Sequence, residues 1–359
     1  MTLKSIAVIC NYEIREDRIG GMDRFFEAFD TKAKTQGYTI HWFFKGEKVI
    51  DFYKGLDITL TQTASVESLF LNDLKKDTRS YDYVITHFTE LCAPFYKAVK
   101  LKTNACCIAV DHNPRPLEGF PLKKRLKLRL KGMLYSRYID FFIGVSSYCL
   151  DHLVKEYGNS IRRKCLVIYN GILADIYIKK SRLTNTPKFI IACHLRKEKG
   201  VQDVINALAL VDKNLLRKFK LDVYGEGPYE HYLKLLVADL NLEEYVKFRG
   251  SRNDLHLLYH NYDYLIHASH GETFCFTVVE SLVSNLRVIT TKGAGNILGL
   301  VKDGENGYTF NIMGINELSN IIVDILKNEE SMNELKTNQE MIDKFSTERM
   351  VDGYLNLLS

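Results

Sequence analysis

No apolar run in this chain reaches the roughly 18 residues that a membrane-spanning helix needs, so a helical membrane protein is not expected. The eight cysteines lie at 10, 92, 106, 107, 149, 165, 193 and 275, with no C-x-x-C pair among them. Most sit in apolar stretches, which reads as buried free thiols in a reducing cytoplasm and argues against a disulfide framework. G-x-G-x-x-G is missing, which disfavours a nicotinamide or flavin dinucleotide site. No Asp-x-Asp occurs, so a metal held by that motif is not expected. Residues 1–11 carry one lysine and a short strand-like run, 6–10, unlike a secretory leader. Internal repeats and low-complexity segments are also lacking.

Hydrophobic residues at 46% against charged residues at 26% mark a folded globular protein, not a disordered one. The 359 residues suffice for two domains, each with its own core. The formal net charge of +5 is modest but uneven, and residues 123–131 hold six basic side chains in nine positions. On a helix, Leu122, Leu126, Leu130 and Met133 share one face and Lys123, Lys124, Lys127 and Lys131 another. A helix of this kind over 121–134 suits contact with an anionic membrane surface. It also suits docking on its own domain with a solvated basic face. No recognised motif accompanies the charge, so nucleic acid is not an expected partner.

Strands are expected at 5–11, 38–44, 83–86, 105–110, 141–145 and 166–169, then at 189–193, 221–224, 246–249, 264–268 and 287–291. Helical stretches such as 91–99 and 147–156 separate them, and this alternation predicts an α/β fold with doubly wound parallel sheets. Residues 173–187 are polar and without periodicity, and read as a linker between domains over 1–172 and 188–344. Further helices are expected at 316–327 and 334–344, with a last helical segment from 345 to 358.

The stretch 264–291 carries the most chemistry. A strand runs into the turn His270-Gly271-Glu272-Thr273. Phe276, Val279, Leu282 and Val283 then recur at helical spacing before the next strand, which makes a βαβ unit. Open α/β sheets bind ligands at such a turn, and free amides from Phe274 to Thr277 are suited to an anion such as phosphate. Glu272 and Glu280 would repel phosphate but accept hydrogen bonds from hydroxyls on either side of it. A nucleotide sugar offers that order of groups: sugar hydroxyls, diphosphate, ribose hydroxyls. The same two residues also fit plainer roles, Glu272 complementing the helix dipole and Glu280 lying on the surface.

Glu272-x7-Glu280, with Phe274 two residues after the first carboxylate, resembles the signature of retaining glycosyltransferases of family four. Those enzymes have the GT-B fold, two Rossmann-like domains with parallel sheets facing a central cleft. The resemblance is strong over 190–310 and looser over 1–165. It implies that Glu272 contacts the donor sugar, that Glu280 holds the ribose, and that the backbone at Thr273, Phe274, Cys275 and Phe276 meets diphosphate and sugar. Cys275 stands where the family has glycine, so its side chain is expected to narrow or reshape the sugar pocket.

The turn 194–200 is similar to the family's Arg-Leu-x-x-x-Lys-Gly turn, whose Arg and Lys hold the diphosphate. Lys199 matches the Lys, His194 occupies the Arg position, and Arg196 lies two residues on. Positive charge counts there because negative charge develops on the leaving phosphate, and Arg makes bidentate contacts that His does not. Either Arg196 takes over, or Lys199 acts with His194. Gly225 resembles the family's loop near the nucleotide, and Arg249 ends the strand that meets the base through main-chain groups. Gly20 and Gly21 match the amino-terminal glycine loop that faces the donor phosphates. His112, in Asp111-His112-Asn113, fits the histidine that contacts the donor sugar. His87 is assigned to the acceptor side, and Arg115 to an anionic acceptor. The Glu that the family often places after the glycine turn at 292–295 is absent. The last helix of GT-B enzymes crosses back, so 345–359 would complete the first domain.

The resemblance thus implies a retaining glycosyltransferase that moves a sugar from a UDP- or GDP-sugar to a saccharide or lipid-linked saccharide. By analogy it would serve bacterial surface polysaccharide or lipopolysaccharide synthesis, in the cytoplasm or at the inner face of the plasma membrane. No metal or cofactor is expected, with Lys199, Arg196 and the helix-start amides acting on the leaving diphosphate. Domain closure would exclude water, and Glu272 and His112 would position the sugar for same-face attack. Two other classes fit the residues: a nucleotide-sugar-binding protein without transfer, and a GT-B sugar-nucleotide epimerase.

Overall fold

Apolar runs without alternation form most of the strands, because a parallel strand covered by helices on both faces buries every side chain. The computed structural model describes residues 3–76, 79–184, 186–327 and 339–358. The chain divides into two compact units, Met1–Gly171 with Phe345–Ser359, and Ile172–Lys344.

In the first unit, β1 (Ser5–Glu13), β2 (Thr39–Lys45), β3 (Ile58–Thr61), β4 (Tyr83–His87), β5 (Cys106–Asp111), β6 (Phe141–Gly144) and β7 (Cys165–Val167) form one sheet. Its order is β3-β2-β1-β4-β5-β6-β7 and every pairing is parallel. Residues 6–10 and 40–44 are buried throughout. The sequence reading passed over β3 and the helix Val66–Asp73. Four half-buried residues at a sheet edge carry too little pattern to be seen. The closing helix Thr347–Leu355 packs on the helix Gly21–Thr35, with Tyr354 5.1 Å from Phe25 ring to ring and Lys32 2.5 Å from Asp352.

In the second unit, β8 (Lys188–Ala192), β9 (Lys220–Tyr224), β10 (Val246–Gly250), β11 (Tyr264–His267), β12 (Arg287–Thr291) and β13 (Gly307–Phe310) form a parallel sheet of order β10-β9-β8-β11-β12-β13. Phe189, Val204, Leu208, Val223, Ile266, Ile289 and Ile322 lie in its core. Strand order reverses between β1 and β4 in one sheet and between β8 and β11 in the other. At each reversal the loops leaving the strand ends diverge, which opens room for a ligand.

Residues 173–187 are not a free linker. They belong to the second unit, where the Lys180 amide donates to the Ser284 carbonyl at 2.9 Å and Asn285 Nδ2 donates to the Lys180 carbonyl at 3.0 Å. The fully buried Asp263 accepts from the Thr184 amide (2.8 Å) and hydroxyl (2.7 Å) and the Lys188 amide (2.8 Å), and pairs with Lys180 Nζ at 3.1 Å. Of the stretches read from the sequence, Asn185 and residues 334–338 lie outside the described residues, and Gln339–Lys344 is helical.

Removing one partner of a buried ion pair strands the other, at about 3 kcal/mol or more. Asp263→Ala is therefore expected to lower the melting temperature of the second unit by about 6–12 °C. Asp51→Ala, in an exposed pair with Lys54, is expected to leave the melt unchanged. Equal melts for the two variants by calorimetry would contradict the latch.

Candidate active site

Strand β11 ends at His267, and the chain turns through 268–275 before the helix Phe276–Val283 begins. Two glycines let the loops here pack closely, Gly200 against this turn and Gly225 against the loop after β8. Gly200 has φ +68°, and a Cβ on it would stand 2.0 Å from the Ala268 carbonyl oxygen, so only glycine lets the loop after β8 lie there. Gly225 has φ +117°, with a would-be Cβ 1.9 Å from the Cys193 carbonyl oxygen. Hydrogen bonds then fix the junction. The His270 amide donates to the Glu198 carbonyl at 2.8 Å, and His270 Nε2 lies 2.6 Å from Asp203 Oδ2.

At this junction Lys199 Nζ lies 2.5 Å from Glu272 Oε1, and His267 Nε2 lies 3.1 Å from the same oxygen. Burial alone would raise the Glu272 pKa, but the Lys199 charge and the hydrogen bond from His267 outweigh it and hold the carboxyl at about 2. Burial pushes Lys199 and His267 down. Glu272 overrides this for Lys199, and Cys275 and Glu272 together hold His267 at about 9. The result is an ionised carboxylate at all ordinary pH, aimed from the start of a helix. Glu280, half-buried one turn further, accepts a hydrogen bond from the buried Tyr259 hydroxyl at 3.0 Å.

Cys275 caps the helix in the left-handed region, φ +68°. Its thiol is buried and lies 3.1 Å from His267 Nε2, so it is directed onto β11. Phe274 is buried and meets Phe276 edge to face at 5.0 Å, while Thr273 and Phe276 are half-buried. His194 and Arg196 are both exposed on the turn that Lys199 closes. Arg249 is exposed at the end of β10, and its Nε donates to Asp222 Oδ1 at 2.7 Å. That commits its side chain to β9.

In the first unit, three residues expected at a ligand site are engaged by internal partners. The Gly20 amide donates to Asp23 Oδ2 at 2.8 Å. Asp23, fully buried, also accepts from Tyr12 (2.9 Å) and Tyr53 (2.5 Å) hydroxyls. A carboxylate therefore holds the amide expected to meet phosphate, and of the glycine pair only Gly21, the first helical residue, keeps that expectation. His87 is 1% exposed and packed among Phe25, Phe26 and Tyr354, so it does not line an acceptor surface. Its Nδ1 lies 3.0 Å from His112 Nε2 instead, and Phe88 stacks on the His112 ring at 4.2 Å. Arg115 is buried and bidentate to Glu156 (2.9 and 2.8 Å), with a third bond to Asp111 (2.6 Å). It braces β5 and does not reach outward to an anion.

His267 and Tyr259 were missed in the sequence. The signal for His267 was its place as the last residue of the strand feeding the Glu272 turn. Tyr259 lies in a short irregular turn and carried none.

Two units of wholly parallel sheet, each with its polar turns at a strand-order reversal, define the GT-B class of nucleotide-binding folds. An Anabaena protein, HepE, solved with UDP-glucose, matches with a TM-score of 0.76 at 18% identity over 99% of both chains. Residues 174–341 match the family model of glycosyl transferases group 1, which places the similarity in the second unit. N-acetyl-alpha-D-glucosaminyl L-malate synthase of Bacillus anthracis is 26% identical over 199 residues, 52% of this chain and 51% of that one. The N-acetylgalactosamine-N,N'-diacetylbacillosaminyl-diphospho-undecaprenol 4-alpha-N-acetylgalactosaminyltransferase of Campylobacter jejuni is 28% identical over 240 residues, 63% and 62% of the two chains. The matched stretches thus span between half and two thirds of these relatives.

Burial holds the His87 and His112 pKa values down, His112 to about 3, from an ordinary 6.5. Because the unfolded chain binds these protons first, the stability is full above about 6.5 and is lost as pH falls below it. The first unit's melting temperature is expected to fall between pH 6.5 and 5. The double variant His87→Gln, His112→Gln should flatten that slope. An unchanged slope in the double variant would refute the assignment.

Proposed function

We propose that the chain is a retaining glycosyltransferase that takes its sugar from a uridine-diphosphate sugar. The observation that carries this reading is the ionised Glu272, held by Lys199 and His267 beside a helix start at the reversal of the second sheet. A carboxylate kept charged beside a lysine and the start of a helix suits a ligand that joins hydroxyls to a diphosphate. The UDP-glucose bound by the similarly folded HepE supports the choice of nucleotide.

In this reading Glu272 orients the donor sugar and Glu280 the ribose. Lys199, Arg196 and the amides from Phe274 to Thr277 stabilise charge on the leaving diphosphate without a metal. The bond between the anomeric carbon and the phosphate oxygen breaks as the acceptor hydroxyl attacks from the same face, and the hydroxyl proton passes to the departing phosphate. The acceptor is a saccharide or lipid-linked saccharide of a bacterial surface polysaccharide or lipopolysaccharide, a class suggested by the undecaprenol-linked acceptor in the Campylobacter relative's name.

The helix Leu122–Tyr135 supports action at an anionic membrane surface. Leu128 and Gly132 dock it on the first unit, while Leu122, Leu126, Leu130 and Met133 stay 55–73% exposed. By helical spacing, Lys123 and Lys127 flank that apolar stripe on one side and Arg125 and Arg129 on the other. Apolar side chains can then enter the interface while the cations reach lipid phosphates. Among the described residues, no helix is long and apolar enough to cross a membrane.

Glu272→Gln keeps the shape of the side chain and removes its charge. It is expected to lower sugar transfer from UDP-glucose or UDP-N-acetylglucosamine into a bacterial lipid extract by at least about 100-fold, compared at a temperature well below the melt, which falls because Lys199 loses its partner. Near-normal transfer in that variant would overturn the site. For the helix, changing Lys123, Arg125, Lys127 and Arg129 to Glu removes about 1 kcal/mol of attraction per residue. The variant is expected to leave anionic vesicles in a sedimentation assay, and equal binding by both proteins would leave the helix a purely structural role.

A further inference from the structure

The proposed transfer uses Glu272 but leaves its two closest companions, His267 and Cys275, without a chemical task. Cys275 Sγ, His267 Nε2 and a Glu272 carboxylate oxygen all lie within 4.8 Å of one another. The thiol and imidazole are 3.1 Å apart, and the imidazole and carboxylate 3.1 Å. His267 and Cys275 are buried, and Glu272 nearly so. Thiolate, imidazole and carboxylate together form the donor set of a borderline-soft divalent cation such as zinc. Around a tetrahedral ion with bonds of about 2.0–2.3 Å, ligand atoms stand about 3.3–3.8 Å apart. The two contacts to His267 therefore need to open by only a few tenths of an ångström to admit one.

Two further features show that the cluster is built and not incidental. Cys275 is a non-glycine residue at φ +68°, a conformation that costs a β-carbon residue about 1–2 kcal/mol. The strained backbone places its thiol on His267. Gly295 makes room on the other side, since a Cβ there would stand 3.2 Å from the His267 ring carbon and closer still to Thr290 and Thr291 hydroxyls. Lys199 and His267 both contact Glu272 Oε1, so a bound ion takes Lys199's place on that oxygen and the lysine turns away.

We infer that His267, Glu272 and Cys275 form a capture site for a zinc-class divalent cation, and that its occupancy shuts the sugar-donor site. Coordination deprotonates the thiol, whose proton leaves to solvent, and draws Glu272 away from the sugar hydroxyls. Three protein ligands leave a fourth position for water. The cation is thus an inhibitor of the enzyme and not its cofactor. The inhibition rests on the donor-site reading above; the binding does not.

The test is a titration of the full chain with cadmium ion, followed by thiolate-to-metal charge-transfer absorption, with UDP thermal shift measured on the same samples. One equivalent is expected to bind with a new ultraviolet band. The band should vanish in Cys275→Ser, and also in Cys275→Gly, which relieves the backbone strain and guards against misfolding. His267→Gln removes a ligand and should weaken the affinity by more than the roughly 10–100-fold lost when only an outer-shell partner is removed. No band in the wild type, or a full band in both Cys275 variants, would overturn the site. A UDP shift without a band removes this inference alone. A band in a protein that shows no UDP shift even before cadmium is added upholds the cation site and removes the donor reading, whereas a UDP shift that is lost as the band grows upholds both.

Discussion

A single ion pair between two loops organises the second unit. Lys199 leaves the end of β8 and Glu272 leaves the end of β11, and they meet at 2.5 Å where the strand order of the sheet reverses. Taking both charges out of water is costly, and the fold offsets that cost by adding His267 and by pressing the loops together. The approach depends on Gly200, whose missing side chain lets one loop lie on the Ala268 carbonyl of the other. The pair leaves a carboxylate ionised in a largely dry setting, next to amides with no helical partner. A ligand that combines hydroxyls with a diphosphate answers each of these groups in turn.

The two halves of the chain were unequally legible. In the second, the Glu272 turn, the Lys199 turn and Gly225 stand close in sequence to the strands that position them, so pattern and neighbourhood agree. The α/β alternation was readable for the same reason, because buried parallel strands are unbroken apolar runs. Cys275 was visible as a departure from glycine, but its direction was not. A thiol turned inward onto His267 depends on the backbone angle at one residue, which no periodicity records.

The first unit hid more. His87 and Arg115 both lie near the carboxyl ends of strands, where a ligand would be expected, and both are spent on internal partners. Arg115 answers Glu156, 41 positions away, and His87 answers His112, 25 positions away. Long-range pairing of this kind decides whether a polar residue serves the fold or the ligand. Asp23 is a similar case, since Tyr12 and Tyr53 hold it beneath the glycine loop. The segment at 173–187 misled in the opposite direction. Its polar residues read as a loose linker, yet they satisfy a buried Asp263 and bind it to the second unit.

The central claim is that the β8 and β11 turns form a site for a nucleotide-diphosphate sugar, and a thermal-shift titration with UDP and its common sugars tests it most directly. A ligand at 100 times its dissociation constant adds about 2.7 kcal/mol of stability. The account predicts a melting temperature that climbs with the logarithm of UDP concentration, climbs further with one UDP-sugar, and does neither in Lys199→Met. A protein whose melt is indifferent to every nucleotide, or a Lys199→Met variant that responds as the wild type does, would contradict it.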